Sequence, residues 1–200
     1  VWQEALADLK PTILWPENDA SAPVRESAMV LDADLANRLT QVAKQQGLTL
    51  NTLMQGAWAA LLSSMTGRSD VVFGSPVSGR FSPIAGIDEH IGLFSNTIPV
   101  RVSIDPIQSL LAQLQPLQNR QIHLMEHDAL GLGEIQRLAG GETLFDTLLV
   151  VENYPDQSEL KAQAFAGIQV TAIHNKGYTH YPLTVLVLPG GQVLEQSLDI

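Results

Sequence analysis

Five histidines are the first candidates for proton or metal chemistry in this sequence: His90, His123, His127, His174 and His180. His123 and His127 stand four apart, a spacing that lets two imidazoles share a metal on one helical face. A zinc protease needs Glu directly after the first His, whereas Glu126 directly precedes the second, and no third ligand is evident. No metal site is expected. The run GSPVSG at Gly74–Gly79 fits Gly-x-Ser-x-Gly around neither Ser75 nor Ser78, so it does not read as a nucleophile elbow. GLGEIQRLAGG and LPGG match neither Gly-x-Gly-x-x-Gly nor Gly-x-x-x-x-Gly-Lys, which leaves phosphate cradling unsupported. Asp128 and Glu134 read as solvated helix-end charges, and Glu152 and Asn153 as the end of a strand leaving the core. No residue is assigned a catalytic role.

The elements that would position these residues follow from periodicity and capping. Residues 1–9 have helical spacing through Trp2, Leu6 and Leu9, and prolines 11, 16 and 23 then mark an exposed connector. Arg25–Leu31 reads as a strand. Leu35, Leu39, Val42 and Ala43 share a helical face that ends near Gly47. Thr49 can cap a second helix from Leu50 to about Met65, apolar nearly all round and expected to be buried on most sides. DVVFGSPVSG reads as a core strand running into a loop. Asp105-Pro106 is a good helix start, with Leu110, Leu111, Leu114 and Leu117 behind it, and Pro116 predicts a kink or break. Gly131–Leu138 is a short helix candidate with Leu132, Ile135 and Leu138 on one side. The tail offers four strands, TLFDTLLVVENY, GIQVTAI, PLTVLVL and QVLEQSLDI, with Gly190-Gly191 as a hairpin signal between the last two. The order α, β, α, α, β, β, α, α and then strands is an α/β layer arrangement.

The 200 residues can bury a sizeable core, and 45% apolar against 16% charged residues reads as globular. Eleven Lys+Arg against 21 Asp+Glu give a formal net charge of −10, with no basic run. That argues against nucleic acid or an anionic membrane as partner. There is no cysteine, which excludes disulfides, thiolate zinc sites and a Cys nucleophile. No apolar run reaches the length of a membrane span, Val1-Trp2-Gln3-Glu4 is no signal-peptide start, and a cytoplasmic location is expected.

The stretch IGLFSNTIPVRV, residues 91–102, is apolar and strand-like, yet it carries Gly92, Asn96 and Arg101, each of which is costly in a strand. With its neighbours, this stretch resembles the condensation domains of nonribosomal peptide synthetases. Gly92, Phe94, Asn96, Thr97 and Arg101 are similar to that family's Gly-x-Phe-x-Asn-Thr motif with its following Arg. TGRSDVVFGSPVSGR resembles the family's strand ending in Ser78, Gly79 and Arg80. HLMEHDALGLGEIQRLAG resembles its segment of His and acid before a short helix, here His127 and Asp128. LFDTLLVVENYP resembles its Phe-Asp strand, through Phe145 and Asp146, and VWQEALADL its helix with a Trp near the start, Trp2.

The resemblance implies an α/β chloramphenicol-acetyltransferase-like lobe, a mixed β-sheet packed with helices and one half of a V-shaped two-lobe domain. Residues 1–24 would be a leading helix and connector and residues 25–200 the lobe, together a C-terminal subdomain incomplete at both ends. In such domains two carrier proteins present thioesters on phosphopantetheine arms, and the acceptor amine attacks the donor thioester to form a peptide bond. The implied partners are the N-terminal lobe, donor and acceptor carrier proteins and an adjacent adenylation domain, with no cofactor bound directly. The family signature His-His-x-x-x-Asp-Gly is absent, so no condensation is expected from this chain alone. Ser78, Arg80, Gly92, Phe94, Asn96 and Thr97 would belong to the tunnel and its floor loop, with Gly92 allowing close backbone approach. Trp2, Arg101, His127, Asp128, Phe145 and Asp146 would be structural. The alternative is a noncatalytic lobe that docks carrier proteins or holds neighbouring domains. Ser95, where the family often has an apolar residue, and Pro116 depart from the pattern. The run Phe94–Thr97 favours condensation over epimerization relatives.

Overall fold

The computed structural model describes residues 1–16, 25–80, 86–152, 179–189 and 194–198. Helix formation follows the capping residues. Helix α1 (Trp2–Ala5) is a single turn, shorter than the apolar spacing suggests, and Asp8 soon after adopts φ +56°. Strand β1 (Arg25–Met29) precedes α2 (Ala33–Gln45), where the Asp32 carboxylate accepts from the Leu35 amide at 2.8 Å. In α3 (Leu50–Thr66) the Thr49 hydroxyl accepts from the Thr52 amide at 3.0 Å, and the helix closes on a left-handed Gly67. Leu53, Trp58, Ala59 and Leu62 of α3 are buried, but Leu61 and Met65 remain about half exposed, so one face meets solvent.

Helix α4 (Leu110–Met125) departs from expectation at its start. It starts at Leu110, capped by Ser109, because Asp105 bonds the Ile107 amide at 2.9 Å and the Gln108 side chain at 2.8 Å, making a turn instead of a cap. Of the kink or break expected at Pro116, there is no break: the helix continues through it. Pro116 and Ala112, whose carbonyl loses its amide partner, are both exposed, so the freed group is on the side open to water. A short α5 (Leu132–Leu138) follows, with Ile135 fully buried and Leu138 exposed.

Among the described residues six strands form one mixed sheet, ordered β1-β6-β5-β4-β2-β3. Strands β2 (Asp70–Val77) and β3 (Asn96–Ser103) pair antiparallel from Asp70↔Ser103 to Val77↔Asn96. Strand β4 (Thr147–Val151) runs parallel to β2 and to β5 (Leu183–Val187). Strand β6 (Leu194–Leu198) is antiparallel to β5 and β1. That pairing fits the expected hairpin; its turn, like GIQVTAI and most of the proline-rich connector, lies outside the described residues. The α/β layer class is as expected.

Strand alternation divides the core. Val71, Phe73, Val100, Val102 and Leu149 pack with Trp58, Leu62, Leu114 and Leu117 of α3 and α4. Val72 and Leu148 join Trp2, Leu6, Ile135, Leu144 and Phe145 in a second cluster. Each such side chain contributes about 1.5–3 kcal/mol by leaving water. No helix among the described residues is long and apolar enough to cross a membrane.

Candidate functional site

Strand β2 leaves the core through Ser78, Gly79 and Arg80. Gly79 has φ +66°, and a Cβ there would lie 1.8 Å from the Phe94 carbonyl oxygen. Only glycine fits a left-handed backbone pressed against another main chain. Within this chain the close main-chain approach falls at Gly79; at Gly92 φ is not positive, and a Cβ would meet the Phe94 ring edge at 3.2 Å. The Arg80 guanidinium lies 4.8 Å from the Phe94 ring centroid and donates to the Ile87 carbonyl and, at 3.3 Å, to that of His90. The Ser78 hydroxyl accepts from the Arg80 amide at 3.4 Å. Arg80 thus ties the far part of the loop to its base. Beyond that tie, Ile91 and Leu93 are 104% and 91% exposed.

Asn96 opens β3 and reaches the turn between α4 and α5. Its amide nitrogen donates to the Asp128 carbonyl at 2.7 Å and the Leu130 carbonyl at 2.8 Å, while its oxygen accepts from the Thr97 amide at 2.9 Å. The same turn is held from the other side, where the Trp2 indole donates to the His127 carbonyl at 3.0 Å. The His127 imidazole itself is exposed, with its ring 5.7 Å from that of His123. Asp128 was expected to be solvated but is 2% exposed; one carboxylate oxygen has no partner, and burial pushes its carboxyl up from the usual range.

A third group binds residues 5–15 to the sheet. Arg101 forks onto Asp70, with Nε to Oδ1 at 3.0 Å and Nη2 to Oδ2 at 2.9 Å, and its Nη1 donates to the Ala5 and Ala7 carbonyls. Arg68 donates to the Lys10 and Pro11 carbonyls. Thr12 bonds Leu144 through its amide and accepts from the Val72 amide through its hydroxyl. Asp146 accepts from the Leu14 and Trp15 amides, each at 2.7 Å, through one carboxylate oxygen. Its carboxyl is raised chiefly by burial, against the lowering by those amides. Phe145, beside it, is 1% exposed and stacks on Tyr181.

The geometry therefore gathers Ser78, Arg80, Gly92 and Phe94 in one loop, and Trp2, Asn96, Thr97, His127 and Asp128 around one turn. Arg101, Phe145 and Asp146 stand apart at the fastening of the leading segment. No cluster of three metal-ligating side chains occurs among the described residues. The sequence reading missed Thr12, Arg68 and Asp70, whose side-chain partners lie 31–60 positions away and leave no local signal.

The family model for the condensation domain matches residues 2–199. The chain belongs to this family. It is 58% identical to vanchrobactin synthetase of Vibrio anguillarum over 193 residues, which is 96% of the chain and 7% of that protein. It is 43% identical to chondramide synthase of Chondromyces crocatus over 166 residues, 82% of the chain and 4% of the relative. A solved four-domain nonribosomal peptide synthetase, bound to AMP and glycine, superposes with a TM-score of 0.78 at 19% identity, covering 99% of this chain and 17% of that one. The condensation domain of the monacolin K polyketide synthase gives 0.75 at 18% identity, covering 96% of this chain and 48% of that one. For the first condensation domain of the CDA synthetase the figures are 0.71, 18%, 99% and 42%. The condensation-domain sequence therefore adopts the chloramphenicol-acetyltransferase-like α/β fold, and the chain spans only a small part of the synthetases it matches.

Proposed function

We propose that this condensation-family chain is the C-terminal lobe of a domain that joins two carrier-bound substrates by a peptide bond. Its contribution is one tunnel wall, the floor loop from Arg80 to Asn96 and part of the surface that meets donor and acceptor carrier proteins. The phosphopantetheine arms arrive as parts of those partners, and an adenylation domain would be a neighbour. The observation that carries the lobe reading is the tip of the loop: Ile91 and Leu93 stand in solvent on a loop that Arg80 ties back. Holding two apolar side chains outward is unfavourable unless another surface covers them. The share of solved condensation-domain chains covered, 42% and 48%, supports the same reading. The missing His-His-x-x-x-Asp-Gly leaves no base for the acceptor amine, so the lobe alone is inactive.

The test is peptide-bond formation between two loaded carrier proteins, followed by mass spectrometry. Product is expected from a two-lobe parent domain and none from the 200-residue chain. Product from the chain alone overturns the assignment; an inactive parent that still binds both carriers favours the noncatalytic docking lobe.

A further inference from the structure

Beside the second apolar cluster lies an open cavity of about 530 Å³ that the reading above does not use. Trp15, Gln136, Phe145, Asp146, His180 and Tyr181 stand in its wall. Phe145 and Tyr181 stack at 5.7 Å and 20°, and the His180 ring lies 4.2 Å from that of Tyr181. Asp146 is 7% exposed; two amides occupy one of its oxygens, and the other has no hydrogen-bond partner. Among the described lining residues there is no Lys or Arg.

These features select by charge. Aromatic faces carry negative electrostatic potential, and a buried carboxyl that ionises beside a cation adds a negative charge where screening is weak. A phosphate or carboxylate ligand is repelled by the same field. The unpartnered oxygen is itself enclosed, so a cation would feel it through the aromatic wall instead of a direct ion pair. That arrangement favours a planar, weakly hydrated cation that stacks over a compact, strongly hydrated ammonium. We propose that this cavity binds the guanidinium of an arginine side chain presented on a peptide. Burial raises the Asp146 carboxyl, and a cation alongside favours its ionised form, which is the energetic coupling the site would use. The inference goes beyond the lobe assignment and does not depend on it.

The test is an NMR titration of the whole 200-residue chain, followed at the Trp15 indole N–H. The probes are N-acetyl-arginine methylamide, its neutral isostere N-acetyl-citrulline methylamide, and N-acetyl-lysine methylamide. The arginine probe is expected to bind about tenfold tighter than citrulline, a ratio in the range of desolvated cation–π contacts. Asp146→Asn keeps an acceptor for the Leu14 and Trp15 amides while removing the charge, and is expected to abolish most of that preference. Tyr181→Leu is expected to weaken it with the Trp2 and Trp58 indole signals in place, which keeps the test decisive should the first variant unfold. Equal binding of arginine and citrulline, no binding by either, lysine binding as tightly as arginine, or an unchanged preference in folded Asp146→Asn would each overturn the proposal.

Discussion

Asn96 is a strand residue whose side chain does the work of a cap. Its three hydrogen bonds join the start of β3 to the turn at residues 128–130, and two of them satisfy main-chain carbonyls there. Asn96→Ala leaves those carbonyls unpaired and is expected to cost about 1–3 kcal/mol in urea denaturation; unchanged stability would show that water replaces the amide without loss. Asp128, on the same turn, makes an opposite prediction. Unfolded, it ionises near pH 3.9, and burial raises the folded value. The folded chain holds the proton longer, so the stability given by neutral Asp128 is full below about pH 4 and is lost as pH rises through the raised value. Asp128→Asn is therefore expected to gain on the wild type between pH 4 and neutrality. A stability difference that stays flat across that window would mean that burial does not govern this carboxyl.

Among the elements, Pro116 carries the clearest prediction. Proline in a helix interior removes one hydrogen bond and crowds the carbonyl one turn back, at a cost of about 3 kcal/mol. Here it lies on the exposed side of a continuous α4. Pro116→Ala restores the amide to the Ala112 carbonyl and is expected to stabilise the chain by about 1–3 kcal/mol. A loss of stability would mean that the proline sets a bend on which the packing of Leu114 and Leu117 depends. Of the kink or break expected at Pro116, the helix shows no break. Proline chemistry is visible in sequence, whereas exposure of the freed carbonyl is a tertiary fact. Thr49 was legible because a cap acts within four residues. Asp105 misled because its carboxylate served a tight turn, leaving the cap to Ser109. The strand order and the grip of Arg68, Thr12 and Asp146 on residues 10–15 were not legible, since their partners lie far along the chain. The main-chain contact that demands glycine at Gly79 is likewise formed only in the fold.

At the scale of the whole molecule, the loop tip and the core answer to different forces. Ile91 and Leu93 touch little of this lobe, so their replacement by serine removes almost nothing from its own folded state. Ile91→Ser with Leu93→Ser is expected to leave the denaturation midpoint of the 200-residue chain within about 0.5 kcal/mol of the wild type. In a two-lobe domain the same pair loses its covering surface. At about 25 cal/mol per Å² of apolar area, burying both side chains is worth roughly 3–6 kcal/mol, before the entropy of ordering is subtracted. The double variant should therefore leave the isolated chain intact while weakening the association of the lobes and slowing condensation in the parent. Binding of a separately produced N-terminal lobe by calorimetry, set beside the two denaturation curves, distinguishes these effects. Loss of stability in the chain alone would place Ile91 and Leu93 in this lobe's own packing. Unaltered affinity and turnover in the parent would move the lobe contact away from the loop that Arg80 ties back.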